Sequence, residues 1–314
     1  MTPGPRAATR LLHNYLKIDD GPRDSVELLT SIVAAENWHE KSGSANEQAE
    51  IWDERFRSYL RDDLSELNRL GRHCFFAFNS SSETMLQGAA FIEPKDSDSL
   101  KAEKARRRLF GSYIEALRQL TDRQLELVSV GLLNLVGMES PTVTKFSADK
   151  GVDFFGRLKL EALLFANENV SGWHRQMEAW MIGQAKNYVD GTVSTPALRE
   201  LIGTVAMLRS PLADRTQYPK LVIRTCDSVF HVLVTTGRLS AEVWKDIDRH
   251  GAIGIDGEML ASFLASRSVA TTAENAFDSA KLFEWLTSFE TFPVSSPSDS
   301  SDEAPMQTDD FAND

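Results

Sequence analysis

The chain has 314 residues, 42% of them hydrophobic and 25% charged, and a formal net charge of −12. These proportions are ordinary for a soluble globular chain, here long enough for two domains or for one large one with a tail. No apolar run approaches the ~18 residues of a membrane span. Two cysteines, Cys74 and Cys226, make neither a disulfide framework nor a four-ligand zinc site, so a reducing, cytoplasmic location is expected.

The acidic total is unevenly spread. About −9 falls after residue 270, about −2 in residues 1–110 and about −1 between them. The middle of the chain is therefore nearly neutral and can carry a basic face towards nucleic acid.

Residues 1–22 hold one short apolar patch (Leu11, Leu12, Tyr15, Leu16), for which partial order is expected. Asp24 or Ser25 caps a helix running towards Glu36. From Asn46 to Leu70, apolar residues such as Ile51, Trp52, Phe56, Leu60 and Leu64 recur at helical spacing, which predicts a long amphipathic helix. Cys74–Phe78 and Met85–Ile92 read as two strands about a polar turn. His39, His73 and Cys74 are too isolated to form a site, so this α+β unit carries no recognisable chemistry. Lys101, Lys104, Arg106, Arg107 and Arg108 open a helix predicted to run to Leu120. Such a cluster is more often a solvated face than a phosphate contact.

Thr121 or Asp122 caps the next helix, Arg123–Val136, which ends at Gly137. Glu126 in its first turn complements the helix dipole. Pro141–Phe146 reads as a short strand leading into Gly151-Val152-Asp153. From Val152 to Leu163, polar Asp153, Arg157, Lys159 and Glu161 alternate with apolar Leu158, Leu160 and Ala162, as in a strand with one buried face. Met177–Tyr188 is a second strand, on which Gln184 and Lys186, two apart, share a face. The turn-rich Asn167–Gly172 makes the two a hairpin with paired positions summing to 338–341. Asp153 then lies across from Ala185 to Tyr188, at the same sheet end as Lys186. A carboxylate, an amide, a lysine and backbone carbonyls at a sheet end can seat a hard divalent cation. Lys186 beside it can orient a water or help to deprotonate it. In the plainer account, Asp153 closes a turn and Lys186 is solvated, the commoner fate of an arbitrary pair at this spacing. Asp149 is a rival to Asp153, which is preferred because it follows the Gly-Val pair and begins the strand. Trp173, His174 and Arg175 form the hairpin tip, either exposed without function or reaching a groove.

Thr195 as cap and Pro196 at the first position start a helix with a stripe of Leu198, Leu201, Ile202, Val205 and Leu208, which leaves Arg199 exposed. Leu221–Ile223 is undecided between strand and loop. Val229–Thr235 reads as a strand buried on both faces. Ser240 caps a helix through Arg249, and a strand (Ala252–Ile255) and a helix (Gly257–Ala265) follow. Phe277, Leu282, Phe283, Leu286 and Phe289 make a last helical stripe. From Pro293 the acidic, Ser- and Pro-rich tail cannot bury a core and is expected to be disordered. Its charge can shield a basic groove, recruit a partner or simply aid solubility.

Five segments fall in a telling order: Leu125-Glu126 in a helix, Gly151-Val152-Asp153 before a strand, Gln184-Ala185-Lys186 ending the next, Leu198-Arg199-Glu200-Leu201-Ile202-Gly203 in a helix, and Val232-Leu233-Val234-Thr235-Thr236-Gly237-Arg238-Leu239-Ser240. Together they resemble the Mrr-like restriction endonucleases, a branch of the PD-(D/E)xK nuclease superfamily with Gln in the acidic position. The resemblance covers residues 120–268. It implies an α/β fold, a restriction-endonuclease-like mixed sheet flanked by helices over 111–268. A small α+β domain over 1–110 would precede it, and a helix and acidic tail over 269–314 would follow.

The implied activity is Mg²⁺-dependent cleavage of DNA phosphodiester bonds, with Mn²⁺ as a substitute, in restriction or anti-phage defence. Asp153, Gln184 and the carbonyl of Ala185 would hold the metal, and Lys186 would position the water or stabilise developing charge. Glu126 would face the site and hold a second metal or an ordered water. DNA is the implied partner, with no membrane involved, and a homodimer or a defence-system protein would be a further one. The alternative is a module that binds nucleic acid without cutting it inside a larger defence complex. The intact Asp153 and Lys186 favour cutting. One departure from the family is the long separation of Asp153 from Gln184, with Phe165–Gln176 making up the excess.

Overall fold

The computed structural model describes residues 2–39, 43–144, 151–159, 178–189, 191–210, 213, 216 and 218–290. The expected turn at 167–172, the tip residues 173–175, Asp149 and the acidic tail lie outside the described residues.

The N-terminal part packs α1 (Pro5–Leu11) and α2 (Ser25–Ala35) on the long α3 (Ala45–Arg69). Asp24 caps α2 by accepting from the Val26 N–H, and Ser44 caps α3 through Glu47. An antiparallel sheet in the order β1 (Arg23–Asp24), β3 (Ser82–Gly88), β2 (Phe76–Asn79) covers them, and Leu28, Leu29, Ile32, Phe56, Leu60 and Leu86 form the core. β3 starts earlier than expected and stops at Gly88, where a Cβ would stand 2.2 Å from the Ile18 carbonyl oxygen. The crossing chain leaves no room for a side chain there.

The helix expected to run unbroken to Leu120 is two, α4 (Asp98–Arg107) and α5 (Phe110–Arg118). Each end is tied to a different core, so the axis has to turn. Lys104 is drawn into a buried ion cluster with Asp96 (2.7 Å) and Glu93 (3.8 Å), and Arg107 donates to the Ala89 carbonyl. α5 instead buries Tyr113 and Leu117 against the second sheet. Two members of the basic cluster are thus structural rather than solvated. Arg72, just past α3, adds a further tie by pairing with Asp256 and lying 5.8 Å from the Trp244 ring centroid.

The second sheet follows α6 (Asp122–Leu135). Its strands are β4 (Glu139–Val143), β5 (Phe154–Lys159), β6 (Glu178–Lys186), β8 (Ser228–Thr235) and β10 (Ile253–Ile255), in the order β10-β8-β6-β5-β4. The first three run parallel, and β5 and β4 are antiparallel to their neighbours. The short β7 (Thr192–Val193) and β9 (Arg238–Leu239) pair separately. α7 (Thr195–Leu208), α8 (Ala241–His250), α9 (Gly257–Ser266) and α10 (Ser279–Thr287) complete the layers. This is the mixed α/β sheet flanked by helices that was expected.

Both faces are covered. α6, α9 and α10 pack over Phe154, Val232 and Val234, while α7 and α8 cover Phe155, Trp180, Ile182 and Leu233. β5 is therefore buried on two faces rather than one, and adjacent Phe154 and Phe155 are 0% and 4% exposed. Leu221 and Ile223 are buried beside Trp180 without forming a strand. In α10 the buried stripe is narrower than expected, because Phe283 is 46% exposed. Thr195 is not the cap of α7: Ser194 holds that position without a side-chain bond, and Pro196 sits in the first turn, where no N–H is required.

The register differs from expectation. Phe154 pairs with Gly183, so paired positions sum to 337, and Asp153, one residue outside the paired strand, donates its N–H to the Gly183 carbonyl rather than pairing with Ala185 to Tyr188. The cause is steric. A Cβ at Gly183 would lie 2.1 Å from Cζ of Phe154, so the ring occupies the space that the glycine leaves open.

Candidate active site

Asp153 extends the ladder one residue beyond β5. Its N–H donates to the Gly183 carbonyl (2.9 Å) and its own carbonyl accepts from Thr144 N–H (2.8 Å). Side chains alternate along a strand, so Asp153 falls on the Phe155 side, under α7. On β6, Gln184 and Lys186 continue the row of Trp180 and Ile182, under the same helix. The structure thus brings Asp153, Gln184 and Lys186 to one face at one sheet end.

The Asp153 Oδ2 accepts the Ala185 N–H at 2.7 Å. Among the described residues this is the one hydrogen bond to that carboxylate. Burial holds the Asp153 carboxyl above the usual carboxylate range. The Ala185 N–H and the Lys186 ammonium pull it back, and the Glu200 charge pushes it further up. N–H and C=O of a single strand residue leave on the same side, so the Ala185 carbonyl also opens towards Asp153.

Gln184 is 2% exposed, and two orientations of its amide compete. In one, Nε2 donates to Glu200 Oε2 at 3.3 Å but stands against the Lys186 ammonium. Turned over, the amide nitrogen donates to the Ala197 carbonyl at 3.0 Å and the oxygen accepts from Lys186 Nζ at 3.1 Å. The second satisfies both ends and is preferred, because two good bonds replace one long one. It aims the amide oxygen into the site.

Gly151 brings α7 down onto this loop. Its φ is +69°, and a Cβ there would lie 2.8 Å from Thr204 Oγ1 and 3.0 Å from Glu200 Cγ. Glycine alone meets both demands at low cost.

Glu126 stands apart from the three. Its Oε2 accepts from Arg123 Nη1 at 2.7 Å, and the same guanidinium donates to the Thr144 carbonyl at 2.9 Å. Burial raises the Glu126 carboxyl, Arg123 lowers it, and the Asp153 charge raises it. It therefore senses the site electrostatically, while among the described residues its ion-pair partner is Arg123.

Two residues near the site went unassigned in the sequence. Glu200 falls inside the helix segment Leu198–Gly203, where the sequence shows it only as part of a pattern. Tyr218 fell where no element was assigned. Its side chain is 6% exposed, and burial and then the charges of Asp153 and Glu200 raise its hydroxyl. Neither has a periodic signal, since intervening loops separate both from the strands.

The donor set is all oxygen: one carboxylate, one amide and one backbone carbonyl. No cysteine or histidine takes part, and among the described residues no group of three His, Cys, Asp or Glu could hold a metal ion. Such a set fits a hard cation like Mg²⁺, which takes few protein ligands and keeps several waters, and not a structural zinc ion.

No protein-family model matches the chain, and no curated protein matches it. Two solved structures are similar. One is described as MspJI restriction endonuclease in complex with a 27-mer oligonucleotide, with 18% identity and a TM-score of 0.36 over 63% of this chain. The other is described as the DNA modification-dependent restriction endonuclease AspBHI, with 16% identity and a TM-score of 0.38 over 68% of this chain. The match spans 39% of the first and 46% of the second, so this chain corresponds to less than half of either. Among the described residues, no helix is long and apolar enough to cross a membrane.

Proposed function

We propose that the chain is a metal-dependent DNA endonuclease of the Mrr-like type, acting in restriction or anti-phage defence. The observation that carries this reading is the convergence of Asp153, Gln184 and Lys186 on one face of one sheet end, with the Ala185 N–H orienting the Asp153 carboxylate at 2.7 Å.

Asp153, the Gln184 amide oxygen and the Ala185 carbonyl would hold Mg²⁺, or Mn²⁺ in its place. A cation bound there supplies Lewis-acid polarisation of the scissile phosphate and a more acidic bound water. Lys186 is the group beside it with protons to give. Its ammonium, fixed at 3.1 Å by the Gln184 oxygen, keeps two N–H donors for the attacking water or for a phosphoryl oxygen that gains charge. Because Gln184 is neutral, the metal seat on the two strands carries the single negative charge of Asp153.

The test is a supercoiled-plasmid nicking assay with Mg²⁺, with Mn²⁺ and with EDTA. Nicking that needs the metal and disappears with EDTA is expected. DNA retention without nicking under all three conditions would replace this reading by that of a binding component of a larger assembly.

A further inference from the structure

We propose that Glu200 is a ligand of the cation, bringing from α7 the second carboxylate that Gln184 does not bring from β6. This rests on the reading of Asp153, Gln184 and Ala185 as a metal seat.

Three observations lead to it. First, the amide position of Gln184 lies 3.3 Å from Glu200 Oε2. In the orientation that satisfies Lys186 and Ala197, the atom at that position is the amide oxygen, so two oxygens face one another without a hydrogen between them. Adjacent ligand oxygens about an octahedral ion with bonds of ~2.1 Å stand about 3.0 Å apart. The pair is spaced to share a cation.

Second, no described cation pairs with Glu200. Among the described residues it forms no ion pair, while its neighbour Arg199 is drawn 3.4 Å from Asp246. Glu200 is also an exposed residue, whereas Gln184 is buried. A metal arriving with its waters and a phosphate would meet Glu200 on the open side.

Third, the position of Glu200 is built rather than loose. Leu198 and Leu201, on either side in the helix, are both fully buried. Gly151 packs against Glu200 with no side chain between them. The first two turns of α7 are thus held on the loop that carries Asp153.

The plain alternative is that Glu200 only accepts a hydrogen bond from Gln184. Glu200→Gln separates the two, because the amide keeps an acceptor oxygen and removes the charge. The measurement is Mn²⁺ binding to the full chain without DNA, read from the electron paramagnetic resonance of free Mn²⁺. It covers the parent, Asp153→Asn, Glu200→Gln, Gln184→Glu and the double variant Q184E/E200Q.

Asp153→Asn and Glu200→Gln should each weaken Mn²⁺ by about tenfold or more, in the range seen for altered metal shells. Q184E/E200Q should recover to within about threefold of the parent, because the charge returns at the adjacent ligand position. Parent-like binding by Glu200→Gln while Asp153→Asn is weakened would overturn the role of Glu200 and leave the seat standing. Failure of the folded double variant to recover would overturn it too, since Glu200 would then act through its place and not its charge. Equal, negligible binding by all five proteins would overturn the seat itself.

Discussion

Gly183 lies directly under the ring of Phe154, so that a Cβ on the glycine would come within 2.1 Å of the ring's Cζ. The pair joins β5 to β6, with Phe154 next to Asp153 and Gly183 next to Gln184 in the chain. The aromatic ring covers the glycine from across the strands and so fixes the register. A slip of one residue would send Asp153 to the opposite face of the sheet. Gly183→Ala should therefore destabilise the fold by about 1–3 kcal/mol, the usual range for overpacking, and lower the melting temperature. An unchanged melting temperature would show that the ring can move aside.

Asp153→Ala and Lys186→Ala should each abolish metal-dependent nicking while leaving circular dichroism unchanged. Both residues sit at a sheet end and are only partly buried, away from the core contacts whose loss is most destabilising. A folded variant that cuts at the parent rate would remove that residue from the site.

Gln184→Leu removes the acceptor of Lys186 and the donor to Ala197 together. Each hydrogen bond lost costs about 0.5–1.5 kcal/mol, so stability should fall by about 1–3 kcal/mol. The Mg²⁺ concentration for half-maximal cleavage should also rise. A stability loss with an unmoved Mg²⁺ curve would make Gln184 a purely structural residue.

Acid titration gives an independent reading of Asp153. Its folded carboxyl is raised by burial above its ordinary value, so the native state binds the proton more tightly than the unfolded chain does. Stability then falls as pH rises from the ordinary aspartate value of about 3.9 through the folded one. Asp153→Asn escapes this loss. In EDTA at pH 7 the variant should melt above the parent, and the gap should close below about pH 3.9. A variant that melts below the parent at pH 7 would contradict this.

His73 provides the opposite sign in the N-terminal part. Its ring stacks on Phe110 at 3.7 Å, and burial, aided by Arg107, lowers its pKa to about 4. Protonation is disfavoured in the fold, so stability is lost as pH falls from about 6.5 towards 4. His73→Phe keeps the stack and should flatten the melting temperature across that window. The same slope in parent and variant would assign it to other groups.

Much of the site was legible because strand parity is local. Two residues apart on a strand means one face, so the sequence puts Gln184 and Lys186 together whatever surrounds them. The one-residue error in the position of Asp153 arose because register depends on a ring filling the space over a glycine across the sheet, which no alternation pattern encodes. Glu200 was illegible as a participant because it follows Lys186 by 14 positions, through a loop, a short strand and a helix start. Lys104 was misjudged for a related reason: a basic run looks solvated until the buried acids Glu93 and Asp96 are placed beside it.

The chain passes between Lys159 and Glu178 at the far ends of β5 and β6. Five strand steps from Phe154 to Lys159 put these two strand ends about 17 Å from the residue pair that sets the register. Residues added to the sequence between these two strand ends enter the described fold away from Asp153 and Gln184. For protein engineering, this makes the connection an insertion point. A fluorescent reporter or an affinity module grafted between residues 160 and 177 should leave the spacing of Asp153, Gln184 and Lys186 as it is, and a graft beside Gly151 should not.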